Sequence, residues 1–112
     1  MVATAAELEG AISAFVRSLQ AGVRVEAVIL YGSYVRGNAH EWSDIDLAVI
    51  SPDFEHVPMW KRQELIAHLS VHRRPGIAPI GYPSSEYHNL GRHSFLREIL
   101  RTGKVVYQAP AG

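Results

Sequence analysis

The sequence predicts a small α+β domain, close to α/β in character, with a mixed β-sheet flanked by helices. Three observations carry this expectation. Stretches with apolar residues at helical spacing alternate along the chain with short β-branched runs. One of these runs, VEAVILYG, has almost no polar alternation, as befits a central strand covered on both faces. Finally, 112 residues of which 47% are apolar suffice for one core, so residues 1–112 are read as a single domain.

The elements follow in order. Thr4 is placed to cap a first helix, with Glu7 completing a capping box, and Leu8, Ala11, Ile12, Phe15 and Leu19 recur at helical spacing before Gly22. VEAVILYG is the first strand, ending at Gly32. SYVRGNAHEWS reads as one turn of helix and a loop, and DIDLAVI as a second strand halted by Ser51-Pro52-Asp53. Pro58 opens a helix expected to reach about Arg73, with Leu65, Ile66 and Leu69 on its inner side, and Arg74-Pro75-Gly76 ends it. IAPIGY is a third strand, in which Pro79 lacks an N–H and so indicates an edge. Ser84 or Ser85 can cap a short helical turn. Phe95, Leu96, Ile99 and Leu100 mark a last helix closed by Gly103, and VVY a last short strand.

Composition narrows the function. The formal net charge is zero, which argues against nucleic acid or an anionic membrane as the main partner. With no cysteine, disulfides and thiolate metal sites are excluded. The opening MVATAAELEG lacks the pattern of a signal peptide and no apolar run has membrane-spanning length, so cytoplasmic residence is expected.

The informative stretch is LYGSYVRGNAHEWSDIDLAVI, where Gly32-Ser33 is followed, after ten residues, by Asp44-Ile45-Asp46. Side chains alternate along a strand, so Asp44 and Asp46 share a face with their Cα atoms about 7 Å apart, from a rise of roughly 3.3 Å per residue. Two close anions repel, and a cation between them relieves the repulsion. Hard oxygen ligands favour Mg²⁺ shared with phosphate oxygens. A glycine at a strand end lets backbone approach a phosphate, and the Ser33 hydroxyl with the next amides can hold its oxygens. Arg36 is near enough in the chain to add positive charge. Read as structure alone, Asp44 is a turn residue and Asp46 an exposed residue on a half-covered face. The two motifs together, in strand context, favour the functional reading.

GSYVRGNAHEWSDIDL resembles the Gly-Ser, ten residues, Asp-x-Asp signature of the minimal nucleotidyltransferases in the DNA polymerase beta-like superfamily. The flanking elements and the closing FLREILRTGKVVYQ extend the likeness over most of the chain. The resemblance implies the polymerase beta-like nucleotidyltransferase fold and transfer of a nucleoside monophosphate from ATP or another NTP, with two Mg²⁺ and release of pyrophosphate. It assigns the triphosphate to Gly32 and Ser33 and the metal to Asp44 and Asp46. Small members of the family pair with HEPN-type helical proteins in toxin–antitoxin modules, and some attach AMP to that partner. The family also carries a third carboxylate on the next core strand. Here Gly76-Ile77-Ala78-Pro79-Ile80 sets Ala78 in that place, and Glu86 is the nearest substitute in the chain. A catalytically degenerate nucleotide-binding or protein-pairing module is therefore the alternative reading.

Other residues carry less. His68 and His72 lie four apart on the expected middle helix but lack a third ligand, and His40, His56, His88 and His93 have no assignable role. Trp42 either lines the nucleotide pocket or covers the sheet edge. Trp60 and Tyr107 read as packing residues, and Lys61-Arg62 and Arg73-Arg74 as solvated helix-end charges.

Overall fold

In a computed structural model of the chain, residues 2–41, 43–70 and 76–110 are described. Helix α1 (Ala5–Gln20) opens with the expected capping box: the Glu7 amide donates to Thr4 Oγ1 at 3.1 Å and the Thr4 amide to Glu7 Oε1 at 2.9 Å. Strand β1 (Ala27–Tyr31) is followed at once by the single turn α2 (Ser33–Arg36) and, after a loop, by β2 (Ile45–Ser51). Ser51 Oγ accepts from the Asp53 amide and starts a 3₁₀ turn, Pro52–Phe54. Then come α3 (Met59–Leu69), β3 (Ile77–Pro83), α4 (Ser84–His88), α5 (Phe95–Thr102) and β4 (Lys104–Gln108).

The strands form one mixed sheet in the order β3-β2-β1-β4. β1 runs antiparallel to both neighbours, while β2 and β3 are parallel. Alternation along β1 and β2 feeds two apolar layers. Val28, Leu30, Ile45, Leu47 and Val49 pack with Ile12, Phe15, Val16 and Leu19 of α1 and Ile66 of α3. Ala27, Ile29, Ala48 and Ile50 face the other way, onto Tyr82, Leu96 and Ile99. Asp46 lies between Ile45 and Leu47 and so belongs to the second face, the one that α5 covers.

Pro79 sits on the edge strand, as its missing N–H requires. The outer side of β3 is occupied by Gln63 of α3, which donates to the Pro79 carbonyl at 2.8 Å and accepts from the Gly81 amide at 2.9 Å. A side-chain amide thus completes the edge where another strand would otherwise add.

Several expectations need correction. α3 ends at Leu69, with Pro58 as its N-cap rather than inside it. Leu65 is exposed, because its position on α3 turns away from the sheet. Trp60 is not a packing residue: it is 66% exposed. Neither serine caps α4, whose N-cap is Pro83, and Ser84 is already its first residue. Phe95 begins α5 but points outward, while Leu96 and Ile99 make the buried stripe. The expectations for Trp42, His72, Arg73, Arg74 and Pro75 lie outside the described residues. Among the described residues no helix is long and apolar enough to cross a membrane.

Candidate functional site

The antiparallel pairing of β1 and β2 brings the end of one strand to the start of the next. Tyr31 is in register with Asp46, so Gly32, the following residue, lies beside the Asp46 carboxylate. The approach is close: a Cβ on Gly32 would lie 2.2 Å from Asp46 Oδ2, well inside contact distance. Gly32 also has φ +78°, in the region that residues with a Cβ avoid. Both facts require glycine. The backbone reverses there into α2, where the amides of Val35 and Arg36 donate to the Gly32 carbonyl at 3.1 Å each. The opening amides of such a turn find no acceptor within it and point outward.

Asp44 falls outside β2, which starts at Ile45; it is the exposed residue just before the strand. The sequence reading had both aspartates in the strand. Its carboxylate leans toward β3, since a Cβ on Gly76 would lie 2.7 Å from Asp44 Oδ1. The Ile45 amide donates to the Gly76 carbonyl at 2.9 Å, tying the two strand starts together. Asp44 still acts on Asp46. The Asp46 pKa is raised first by burial and then by the negative charge of Asp44, with the Arg36 guanidinium opposing both. A half-buried carboxylate pressed by a second one is a donor pair suited to a hard divalent cation, with substrate oxygens completing the coordination. Among the described residues there is no group of three or more His, Cys, Asp or Glu side chains able to hold a metal.

Across β2, Asp46 is in register with Ala78. Tyr31, Asp46 and Ala78 thus form a row over three strands. Glu86 does not join that row. Its Oε2 accepts from Ser94 Oγ at 3.2 Å, and its charge is not among those acting on Asp46. The helix carrying it is held at the opposite end of β1, where His88 Nε2 meets Glu26 Oε2 at 2.5 Å.

A cleft of about 400 Å³ opens on this face, lined by Tyr31, Gly32, Arg36, Asp46, Phe95, Glu98, Ile99 and Thr102. Gly32, Arg36 and Asp46 are therefore brought together. Ser33, half-buried, opens α2 beside the cleft but is not part of its wall. Sequence reasoning missed the contributions of Tyr31, Phe95, Glu98 and Thr102. In the sequence Phe95 stands four residues before Ile99, on the same side of the helix, so nothing there separates it from a core residue. Tyr31 is itself half-buried, and burial first, then the Asp46 charge, raises its hydroxyl pKa.

Residues 11–101 match the family model of the nucleotidyltransferase domain. A Methanocaldococcus jannaschii protein provisionally named a protein adenylyltransferase, MJ0604, is 32% identical over 102 residues, covering 88% of this chain and 97% of its own. The protein adenylyltransferase MntA of Thermococcus cleftensis is 40% identical over 55 residues, 49% of this chain and 52% of that one. Among solved structures, a protein from Sulfolobus solfataricus provisionally described as a nucleotidyltransferase superposes with TM-score 0.66 at 15% identity, over 89% of this chain and 79% of its own. A toxin–antitoxin crystal structure with AMP-PNP gives TM-score 0.54 at 21% identity, over 90% and 73%. These last two likenesses concern the fold. The fold, the meeting of Gly32 with Asp46 and the match over most of the sequence lead to one assignment: the chain belongs to the nucleotidyltransferase domain family.

Proposed function

We propose that the protein transfers AMP from ATP, in a Mg²⁺-dependent reaction, to a hydroxyl of a partner protein, a HEPN-type helical toxin in the cytoplasm. The observation that carries this reading is the contact between Gly32 and the Asp46 carboxylate. It puts a backbone corner suited to phosphate and a carboxylate suited to a cation in one cleft. The acceptor is assigned from the names of the two adenylyltransferase relatives.

In this mechanism Gly32 admits the triphosphate to the backbone, and the Ser33 hydroxyl with the opening amides of α2 donates to its oxygens. Arg36 adds positive charge beside them. Asp44 and Asp46 would hold the Mg²⁺, which when bound offsets the charge developing on the phosphoryl oxygens. The acceptor oxygen bonds to the α-phosphorus as the bond to pyrophosphate breaks, and the acceptor proton passes to solvent water.

Ala78 favours a second reading, a degenerate module that binds nucleotide or a partner without turnover. A missing general base lowers a rate by about 10²–10⁴-fold. α-Labelled ATP, Mg²⁺ and the protein encoded next to this one separate the two. Label reaching the partner with wild type and not with Asp46→Asn supports transfer. ATP binding with no label transferred supports the degenerate module, and transfer that survives Asp46→Asn removes the mechanism.

A further inference from the structure

An aromatic residue on an amphipathic helix ordinarily turns toward the core, and Phe95 does not. It is 58% exposed, although Leu96 and Ile99 of the same helix are buried. Phe95 meets Tyr31 edge to face, with ring centroids 6.2 Å apart and planes at 85°. Such T-shaped pairs hold a ring at a defined angle. Tyr31 in turn is anchored in β1, in register with Asp46. Both rings line the cleft that also holds Gly32, Arg36 and Asp46.

Resting on the reading of this cleft as a nucleoside triphosphate site, we propose that Phe95, held by Tyr31, is the stacking platform for the nucleobase. The phosphate-facing and aromatic parts of the cleft are continuous, and an aromatic face left in water is what a planar base would cover. The polar groups that α5 itself brings to the wall are already engaged. The Glu98 carboxylate accepts from the Arg101 guanidinium, and the Thr102 hydroxyl donates to the Glu98 carbonyl at 2.9 Å. A phenyl face reads stacking area rather than a hydrogen-bonding edge, so the site accepts ATP and GTP alike and holds pyrimidine triphosphates more weakly.

The test titrates the intact protein, with Mg²⁺, against ATP, GTP, UTP and inorganic tripolyphosphate, which keeps the phosphates and lacks the base. Phe95→Ala and Phe95→Leu are expected to weaken ATP and GTP by about tenfold, within the range of base–aromatic stacking, and UTP by less. Both should leave tripolyphosphate within about twofold, and Phe95→Tyr should keep the wild-type pattern. The leucine variant retains an apolar contact to Tyr31, so a loss shared by both variants comes from the missing ring. Unchanged ATP affinity in both, or equal losses for ATP and tripolyphosphate, overturns the platform while leaving the phosphate site standing. A wild type that binds neither ATP nor tripolyphosphate overturns the reading of the site and the platform with it.

Discussion

Asp46 on β2 and Ala78 on β3 stand in register across the parallel pair, with Tyr31 of β1 opposite Asp46 on the other side. A methyl group therefore occupies the position beside a half-buried carboxylate whose pKa burial and Asp44 hold up. Ala78→Asp puts a third carboxylate into that row. Without metal the new charge repels its neighbours and Tm should fall. With Mg²⁺, affinity measured by calorimetry should tighten by about tenfold, and AMP transfer should rise toward the general-base contribution of about 10²-fold. An unchanged Mg²⁺ affinity would show that the row is not where the cation binds.

Gly32→Ala tests the corner. The substitution sets a Cβ against Asp46 Oδ2 and forces φ +78° on a residue that avoids it. Strain of this kind costs on the order of 1–3 kcal/mol, so chemical denaturation should show a loss of that size. ATP binding should be lost beyond what the stability change explains, because relief of the clash moves the carboxylate. Full ATP affinity in a destabilised variant would separate Gly32 from the site.

Asp46 also sets a pH dependence. Its folded-state pKa is raised above the unfolded value, through burial first and then Asp44. A raised acid stabilises the fold at pH below the unfolded pKa, and that contribution is lost as pH rises through the folded one. Asp46→Asn should therefore raise the metal-free Tm at neutral pH, on the order of 1–4 °C, and narrow the gap to wild type in acid. Mg²⁺ binding should run the other way, strengthening as pH rises through the carboxylate range. A metal-free Tm difference that does not change with pH would refute the assignment.

Phe54 gives a test of the fold apart from the site. It is fully buried, next to Ile66 and against Gly81, where a Cβ would lie 2.9 Å from its ring. Phe54→Ala should cost about 3–5 kcal/mol through lost burial and the cavity left behind. Nucleotide affinity of the folded fraction should be little changed, since Phe54 does not line the cleft.

Much of this protein was determined by its sequence. The capping box at Thr4 and Glu7, the two apolar strands, the edge position of Pro79 and the conjunction of Gly32-Ser33 with Asp44 and Asp46 are all local patterns, fixed by backbone sterics and the two side-chain periods. Only the tertiary structure decided what meets across those elements. That Gly32 touches Asp46, that Ala78 faces it, that Asp44 sits outside the strand and that Glu86 turns to Ser94 follow from strand register and from how α4 and α5 lie on the sheet. Phe95 shows the reason best. Its sequence position marks only the start of a helix, and its place on the cleft wall comes from Leu96 and Ile99 burying their own stripe against β1 and β2, which leaves the preceding ring turned toward Tyr31.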